Sequence, residues 1–413
     1  MKIEKKTLES VLKKLKKVVP SRVTFPILGC VKFKGDGKNL EISATNIGVS
    51  CIATLPCEFE GEFCISLKDL LTALKGIRST EIGIELISDG SGSGSEGKAR
   101  IFSEGGTFFL KTTPAIEFPV IPDLNDAEPV FSIDPKKFLE MLKRCAPFVS
   151  DDEMRQYING INAVLKTTTV SRFEATDGHR LIIVETPDAN VTKESSFIIR
   201  NSAIQTLFLL AEDCKDRIEV RESKEHIIFK SNGTRIIVRK IDYDFPNTNS
   251  VIPGKPVLAC RVNRSELLEV VKGAKLFTGN GNSHKNQGIC FNIETTELKV
   301  TADFEESKFE KQLPCRANGR LVIRFNPDFL IDAFNALNSE EMVLEMTDAN
   351  SALKIAETGT IVIVMPLRSD ENPKPIIEFD PDSIINPVQP VQSDTQIQPA
   401  PAQESTLQAS LLV

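Results

Sequence analysis

Asp177, His179 and Arg180 lie within four positions, around Gly178, in the stretch Ala175-Thr176-Asp177-Gly178-His179-Arg180-Leu181. A carboxylate beside an imidazole is a pairing suited to general acid–base work. The other parts of an enzyme are missing from the pattern. No candidate nucleophile and no Gly-rich phosphate cradle accompanies the pair. His179, His226 and His284 are the only histidines, and none has a second His or a Cys at ligand spacing. No Walker A loop, His-Glu-x-x-His or EF-hand pattern occurs. The sequence therefore predicts no catalytic residue, no metal and no cofactor. A phosphoester hydrolase using Asp177 and His179 is the alternative reading. A Gly between an acid and a basic pair marks a tight turn. The turn leads into the apolar run Leu181-Ile182-Ile183-Val184, so His179 and Arg180 can face the surface rather than a core.

The elements that must hold this turn come in three copies. Leu40-Glu41-Ile42-Ser43-Ala44-Thr45-Asn46, Phe173-Glu174-Ala175-Thr176-Asp177 and Leu298-Lys299-Val300-Thr301-Ala302-Asp303 read alike. Each is followed by strand-like sequence that stops at Pro56, Pro187 or Pro314. The shared alanines stand 131 and 127 residues apart, a period too long for a solenoid and right for a whole domain. Each copy opens with an amphipathic helix. Leu8, Val11, Leu12, Leu15, Val18 and Val19 follow helical spacing in the first, against Lys13, Lys14, Lys16 and Lys17. Phe138, Leu139, Met141 and Leu142 face Lys136, Lys137, Lys143 and Arg144 in the second. Leu267, Leu268, Val270 and Val271 face Arg264, Lys272 and Lys275 in the third. Asp134 with Pro135, and Asn263, are the expected caps. Second helices are expected over 67–77, 203–211 and 327–337. The copies lacking the histidine argue further against catalysis.

The reading is an α+β chain of three repeated domains, each with two helices packed on antiparallel sheet. The expected bounds are 1–122, 129–253 and 257–368, with a disordered acidic Pro/Gln-rich tail over 369–413. The length of 413 residues suits two or three domains. No apolar run approaches a membrane span and no signal peptide is expected. Nine scattered cysteines without a Cys-x-x-Cys pair predict free thiols in a reducing cytoplasm. The net charge is −7, and seven acids against Lys374 put six of those charges beyond residue 368. The near-neutral body can thus carry a basic surface. Basic helices recurring at one place in every unit would line such a surface and bind phosphates without regard to sequence. The helices carry no interleaved aromatics, so base stacking is not indicated. Ser91-Gly92-Ser93-Gly94-Ser95 reads as a hairpin loop.

Several segments in order resemble the beta sliding clamp family of bacterial DNA polymerase III. They are Ser21-Arg22-Val23-Thr24-Phe25-Pro26-Ile27-Leu28-Gly29, Arg155-Gln156-Tyr157-Ile158-Asn159-Gly160, the turn at 175–181, Phe325-Asn326 with Asn335-Ala336-Leu337, and Val364-Met365-Pro366-Leu367-Arg368. The resemblance implies a non-catalytic processivity factor, a head-to-tail dimeric ring around duplex DNA that tethers the polymerase. It implies a clamp loader and other partners carrying Gln-x-Ser/Asp-Leu-Phe/Leu peptides. Their pocket would be Ile158, Thr176, Gly178, His179, Arg180, Leu181, Pro246, Val251, Ile363 and Met365, with Asn326, Phe329, Pro366, Leu367 and Arg368 adjoining. Thr248-Asn249-Ser250 departs from the family's usual aromatic and basic residues there. DNA contacts would be Lys13, Lys14, Arg22, Lys68, Lys75, Lys136, Lys137, Lys143, Arg144, Tyr157, Arg264 and Lys272. At the dimer contact, Phe108 and Leu110 would meet Leu276 and Phe277, while Lys98 and Arg100 would meet Glu305, Glu306 and Glu310. Finally, Gln408, Ser410, Leu411 and Leu412 match the partner motif, which makes the tail a candidate ligand of its own pocket.

Overall fold

Four helices begin where the sequence supplies a side-chain oxygen for their unpaired amides. In α2 (Leu67–Gly76), Ser66 accepts from the Asp69 amide. In α3 (Pro135–Cys145), Asp134 accepts from Lys136 and Lys137, with Pro135 opening the first turn. Asn263 caps α5 (Arg264–Lys275) and Asn326 caps α6 (Pro327–Asn335). The other two long helices are α1 (Lys5–Val18) and α4 (Asn201–Asp213). A computed structural model gives this architecture and describes residues 1–413 apart from 21, 23–24, 88–96, 105, 188, 279–287, 305, 369–372 and 387–413. The Gly-Ser stretch at 91–95, His284, Glu305, the first motif's Ser21, Val23 and Thr24, and the tail residues Gln408, Ser410, Leu411 and Leu412 lie outside the described residues.

Helices pair within each unit, α1 with α2, α3 with α4 and α5 with α6. Helix α4 also meets α1 across the boundary between the first two units. That double coverage explains its sequence: Ala203, Ile204, Thr206, Leu207, Leu209, Leu210 and Ala211 are all buried, leaving only Ser202, Gln205, Glu212 and Asp213 exposed. The large aromatic and aliphatic residues of all three units form one continuous core, including Phe33, Phe131, Phe138, Phe173, Phe229, Phe291 and Phe325. Among the described residues, no helix is long and apolar enough to cross a membrane. All nine cysteines are free thiols.

The sheets do not stop at the unit boundaries. A 13-stranded sheet runs through the first two units, joined where Val49–Pro56 pairs with Thr234–Arg239. A nine-stranded sheet joins the second unit to the third, where Arg180–Thr186 pairs antiparallel with Thr360–Val364. The Pro-rich connectors mark where the chain leaves a unit, while hydrogen bonds from other strands carry the sheet across. A five-stranded sheet completes the third unit, with Ser307–Pro314 at one edge and Ile376–Ile377 at the other.

That last strand corrects the expectation of an unfolded tail from residue 369. Residues 373–386 are docked on the third unit. Ile376 and Ile377 pair with Arg320 and Gly319. A Cβ at Gly319 would come within 2.3 Å of the Ile376 carbonyl, so the close approach requires glycine there. Asn318 is fully buried and donates to the Phe379 carbonyl at 2.9 Å. The short helix α7 (Asp382–Ile385) buries Ile384 completely and offers its carbonyls to Arg261. Lys374 donates to Asp348 at 2.9 Å and holds that carboxyl down at about 2. Four isoleucines and one phenylalanine among prolines and acids suffice because the third unit supplies matching backbone and cationic groups.

A candidate peptide-binding cleft between the second and third units

The turn at residues 177–180 is built by its own side chains. Asp177 accepts from the amides of His179 (2.8 Å) and Arg180 (3.0 Å). The Thr176 hydroxyl donates to the Arg180 carbonyl at 2.7 Å and accepts from the Gly178 amide. Gly178 has φ +91°, a left-handed conformation that a side chain disfavours. From the turn the chain enters the strand that pairs with Thr360–Val364. The ladder is extended one step by the Met365 amide donating to the His179 carbonyl at 2.8 Å. The junction of the two units is therefore also the floor of a cleft.

Leu181 and Ile363 are direct register partners on that floor. With Ile183 they form a small buried cluster separate from the main core. Pro246 and Val251 form one wall, carried by a single 3-10 turn, Thr248–Val251. The turn is held by a buried pair. Thr248 donates to Glu174 at 2.6 Å, and Glu174 also accepts from Asn162 at 2.8 Å. The threonine at 248 thus uses its hydroxyl to anchor the wall. The cleft has a volume of about 240 Å³ and is lined by Ile158, Thr176, Gly178, His179, Arg180, Leu181, Pro246, Val251, Ile363 and Met365, every wall residue the sequence predicts. Arg155, Tyr157, Asn247 and Thr248 also line it and were not among the predicted walls. Their signal was adjacency, since each lies within three residues of a predicted wall residue.

Arg180 ties the cleft to both units. It donates to Asp177 (2.9 Å), to Asp332 of α6 (2.5 Å) and to the Pro147 carbonyl (2.7 Å). Its guanidinium lies over Phe329 at 4.6 Å and Phe148 at 5.3 Å. His179 stacks on the same Phe329 ring at 5.9 Å. Asn326 is occupied as the cap of α6, and the Leu367 amide bonds back to Arg324. At the rim, Arg155 donates to Asp152 at 2.8 Å and holds that carboxyl below the usual carboxylate range. The Asp177 carboxylate is spent on the turn and on Arg180, so the geometry leaves it no role as a free base toward a substrate. Among the described residues no group of three His, Cys, Asp or Glu could hold a metal ion. A larger concavity of about 740 Å³ lies beside the first connector. Four of its charged residues form the ion pairs Lys32–Glu62 and Arg235–Glu41.

The predicted DNA-facing set divides in the structure. Lys13, Arg22, Lys68, Lys75, Lys136, Lys137, Lys143 and Lys272 are exposed. Three others are engaged within the chain. Lys14 is buried between α1 and α4 on Asp213 at 3.1 Å. Arg144 bridges units, donating to the Ala336 carbonyl, Glu357 and Thr360 at 2.6–2.7 Å. Burial pushes the Glu357 carboxyl up, but the amides of Ser339 and Asn338 and the charge of Arg144 outweigh it and hold the group below its ordinary range. Arg264 donates to the Phe334 carbonyl in the last turn of α6 and to the Ser339 carbonyl beyond it. Tyr157 belongs to the cleft.

The dimer set is also redistributed. Strand alternation turns Phe108 and Leu110 toward the chain's own core and leaves Phe109 60% exposed. Leu276 is 81% exposed, while Phe277 packs on Phe309 with ring centres 5.6 Å apart. Arg100 pairs with Glu85, and Glu310 with Lys299 and Lys308, inside their own sheets. Lys98 and Glu306 are exposed.

Comparison with known proteins covers nearly all of residues 1–367. The family models for the N-terminal, central and C-terminal domains of the DNA polymerase III beta subunit match residues 1–122, 132–247 and 249–367. A beta sliding clamp of Chlamydia muridarum is 26% identical over 376 residues, spanning 89% of this chain and 98% of that protein. The solved beta subunit of Thermotoga maritima superposes with TM-score 0.80 at 24% identity, covering 89% of this chain and 99% of that one. A Pseudomonas aeruginosa sliding clamp solved with griselimycin bound gives TM-score 0.80 at 22% identity, with the same coverage.

Proposed function

The chain belongs to the DNA polymerase III beta subunit family, the beta sliding clamps, and from that membership we propose how its surfaces divide the work. It is a non-catalytic processivity factor. The three units are assigned to residues 1–122, 129–253 and 257–368. Two copies close head to tail into a ring, the free side of residues 106–110 meeting the edge strand Ser307–Pro314 of the other copy. Both are unpaired strand edges, and such edges add strands readily. The exposed lysines of the helices face the enclosed duplex. They neutralise phosphates loosely and without sequence preference.

The cleft between the second and third units takes the peptide of the polymerase, the clamp loader and other partners, of the form Gln-x-Ser/Asp-Leu-Phe/Leu. The observation that carries this reading is the isolated apolar patch of Leu181, Ile183 and Ile363, flanked by Arg155, His179 and Arg180 at a boundary between units. An apolar floor with a few fixed polar groups suits a short leucine-containing segment.

Topology supplies the test. The protein is loaded on nicked circular duplex, washed at high salt, and the DNA is then cut. Retention on circles with release on linearisation is expected. Release at the salt wash from both forms would mean ordinary electrostatic binding and would overturn the ring.

A further inference from the structure

We propose that the last residues of this chain, Gln408-Ala409-Ser410-Leu411-Leu412, occupy its own cleft in cis and compete there with partner peptides. The inference rests on the peptide-binding reading of the cleft and names a ligand for it.

Strand register places α7 of the docked extension and the cleft on one face of the nine-stranded sheet. Directly paired residues in antiparallel strands share a face. Leu181 pairs with Ile363, Ile363 with Lys354, Lys354 with Glu345, and Glu345 with Ala259. Arg261 lies two residues beyond Ala259 and so points to the same side. It is Arg261 that binds the carbonyls of α7. Four strand steps separate it from the cleft floor, about 19 Å at the usual spacing of about 4.8 Å. The docked segment 373–386 thus acts as an anchor that brings the start of the remaining chain to the cleft's own side. Lys255–Asp382 and Lys374–Asp348 hold that anchor at both ends.

The remaining chain is long enough and ends in the right chemistry. Twenty-one residues separate Asn386 from Gln408. At about 3.3 Å per residue they reach about 70 Å when extended, well beyond the distance required. This stretch is rich in Pro, Gln and Ser, whereas Leu407, Leu411, Leu412 and Val413 are crowded into the last seven residues. Such a segment presents apolar side chains, and the cleft offers an apolar floor. A tether of this length gives an effective concentration up to the order of 1 mM. For an intrinsic dissociation constant near 0.1 mM, the tail would weaken a competing peptide about tenfold.

The test compares the full chain with a form ending at Gln403, titrated with a fluorescein-labelled peptide, Gln-Leu-Ser-Leu-Phe. The shortened form is expected to bind the probe about tenfold more tightly. A synthetic peptide of residues 404–413 is expected to displace the probe from it. The double substitution Leu411→Asp with Leu412→Asp in the full chain should reproduce the truncation. Equal probe affinity for the full and shortened forms would overturn the self-ligand and leave the peptide cleft standing. Absence of probe binding to both would overturn the cleft reading and the self-ligand with it. A difference that vanishes on dilution would assign the tail to a second copy and overturn occupancy in cis.

Discussion

Arg180 joins three things that the cleft needs at once: the turn through Asp177, helix α6 through Asp332, and the aromatic side through Phe329 and Phe148. Its side chain is only 11% exposed, so its bonds are weakly screened. A lysine keeps the charge but not the planar fork that serves three acceptors while stacking on a ring. Arg180→Lys should therefore lower unfolding free energy by about 2 kcal/mol and weaken binding of a Gln-x-Ser-Leu-Phe peptide. Urea denaturation and fluorescence anisotropy measure the two effects. An unchanged denaturation midpoint would refute this role. Asp177 and His179 invited an enzymatic reading because types and spacing are visible in a sequence. What is not visible is that both carboxylate oxygens are already taken.

At the level of elements, helix and strand positions were legible because each unit repeats the same hydrophobic alternation, with capping residues before four of the helices. The cleft walls were legible through the family's motifs, which cluster on two paired strands and one turn. What the sequence did not show shares a cause. Lys14 looks like its neighbours on a polar face, and only α4, folded back from far along the chain, reveals Asp213 above it. Arg144 and Glu357 are likewise distant in sequence. The extension at 373–386 was misread because docking there depends on Gly319, Asn318 and Arg261, not on apolar mass of its own. These distinctions separate two lysines one residue apart. Lys14→Ala should destabilise the protein by about 1 kcal/mol, since half-exposed Asp213 is partly screened, and leave the salt dependence of DNA binding unchanged. Lys13→Ala should leave stability within about 0.5 kcal/mol and reduce the slope of log affinity against log salt by about 1. Denaturation curves and a salt series on one DNA circle decide between them.

For the whole molecule, the exposed end of α5 and the free strand edges are where a second copy would attach. Leu276 is a large apolar side chain left in solvent beside Phe277 and Phe309. Placing a carboxylate there should weaken the dimer at least tenfold, about 1.4 kcal/mol, without loosening the monomer. Sedimentation equilibrium of Leu276→Asp is expected to show monomer at concentrations where the parent protein is dimeric. An unchanged dimer would remove the end of α5 from the interface.

The sheets that cross both unit boundaries have a mechanical corollary. Bending the subunit at either boundary would shear a five-residue ladder, Val49 to Ala53 on Thr234 to Val238 or Arg180 to Val184 on Thr360 to Val364. It would also open the core beneath. Each subunit is thus stiff across both boundaries, and in the proposed ring elastic strain would concentrate at the two seams. A machine that opens such a ring has to pry at a seam, like a hand on a split washer. The body of the subunit stores almost none of the work.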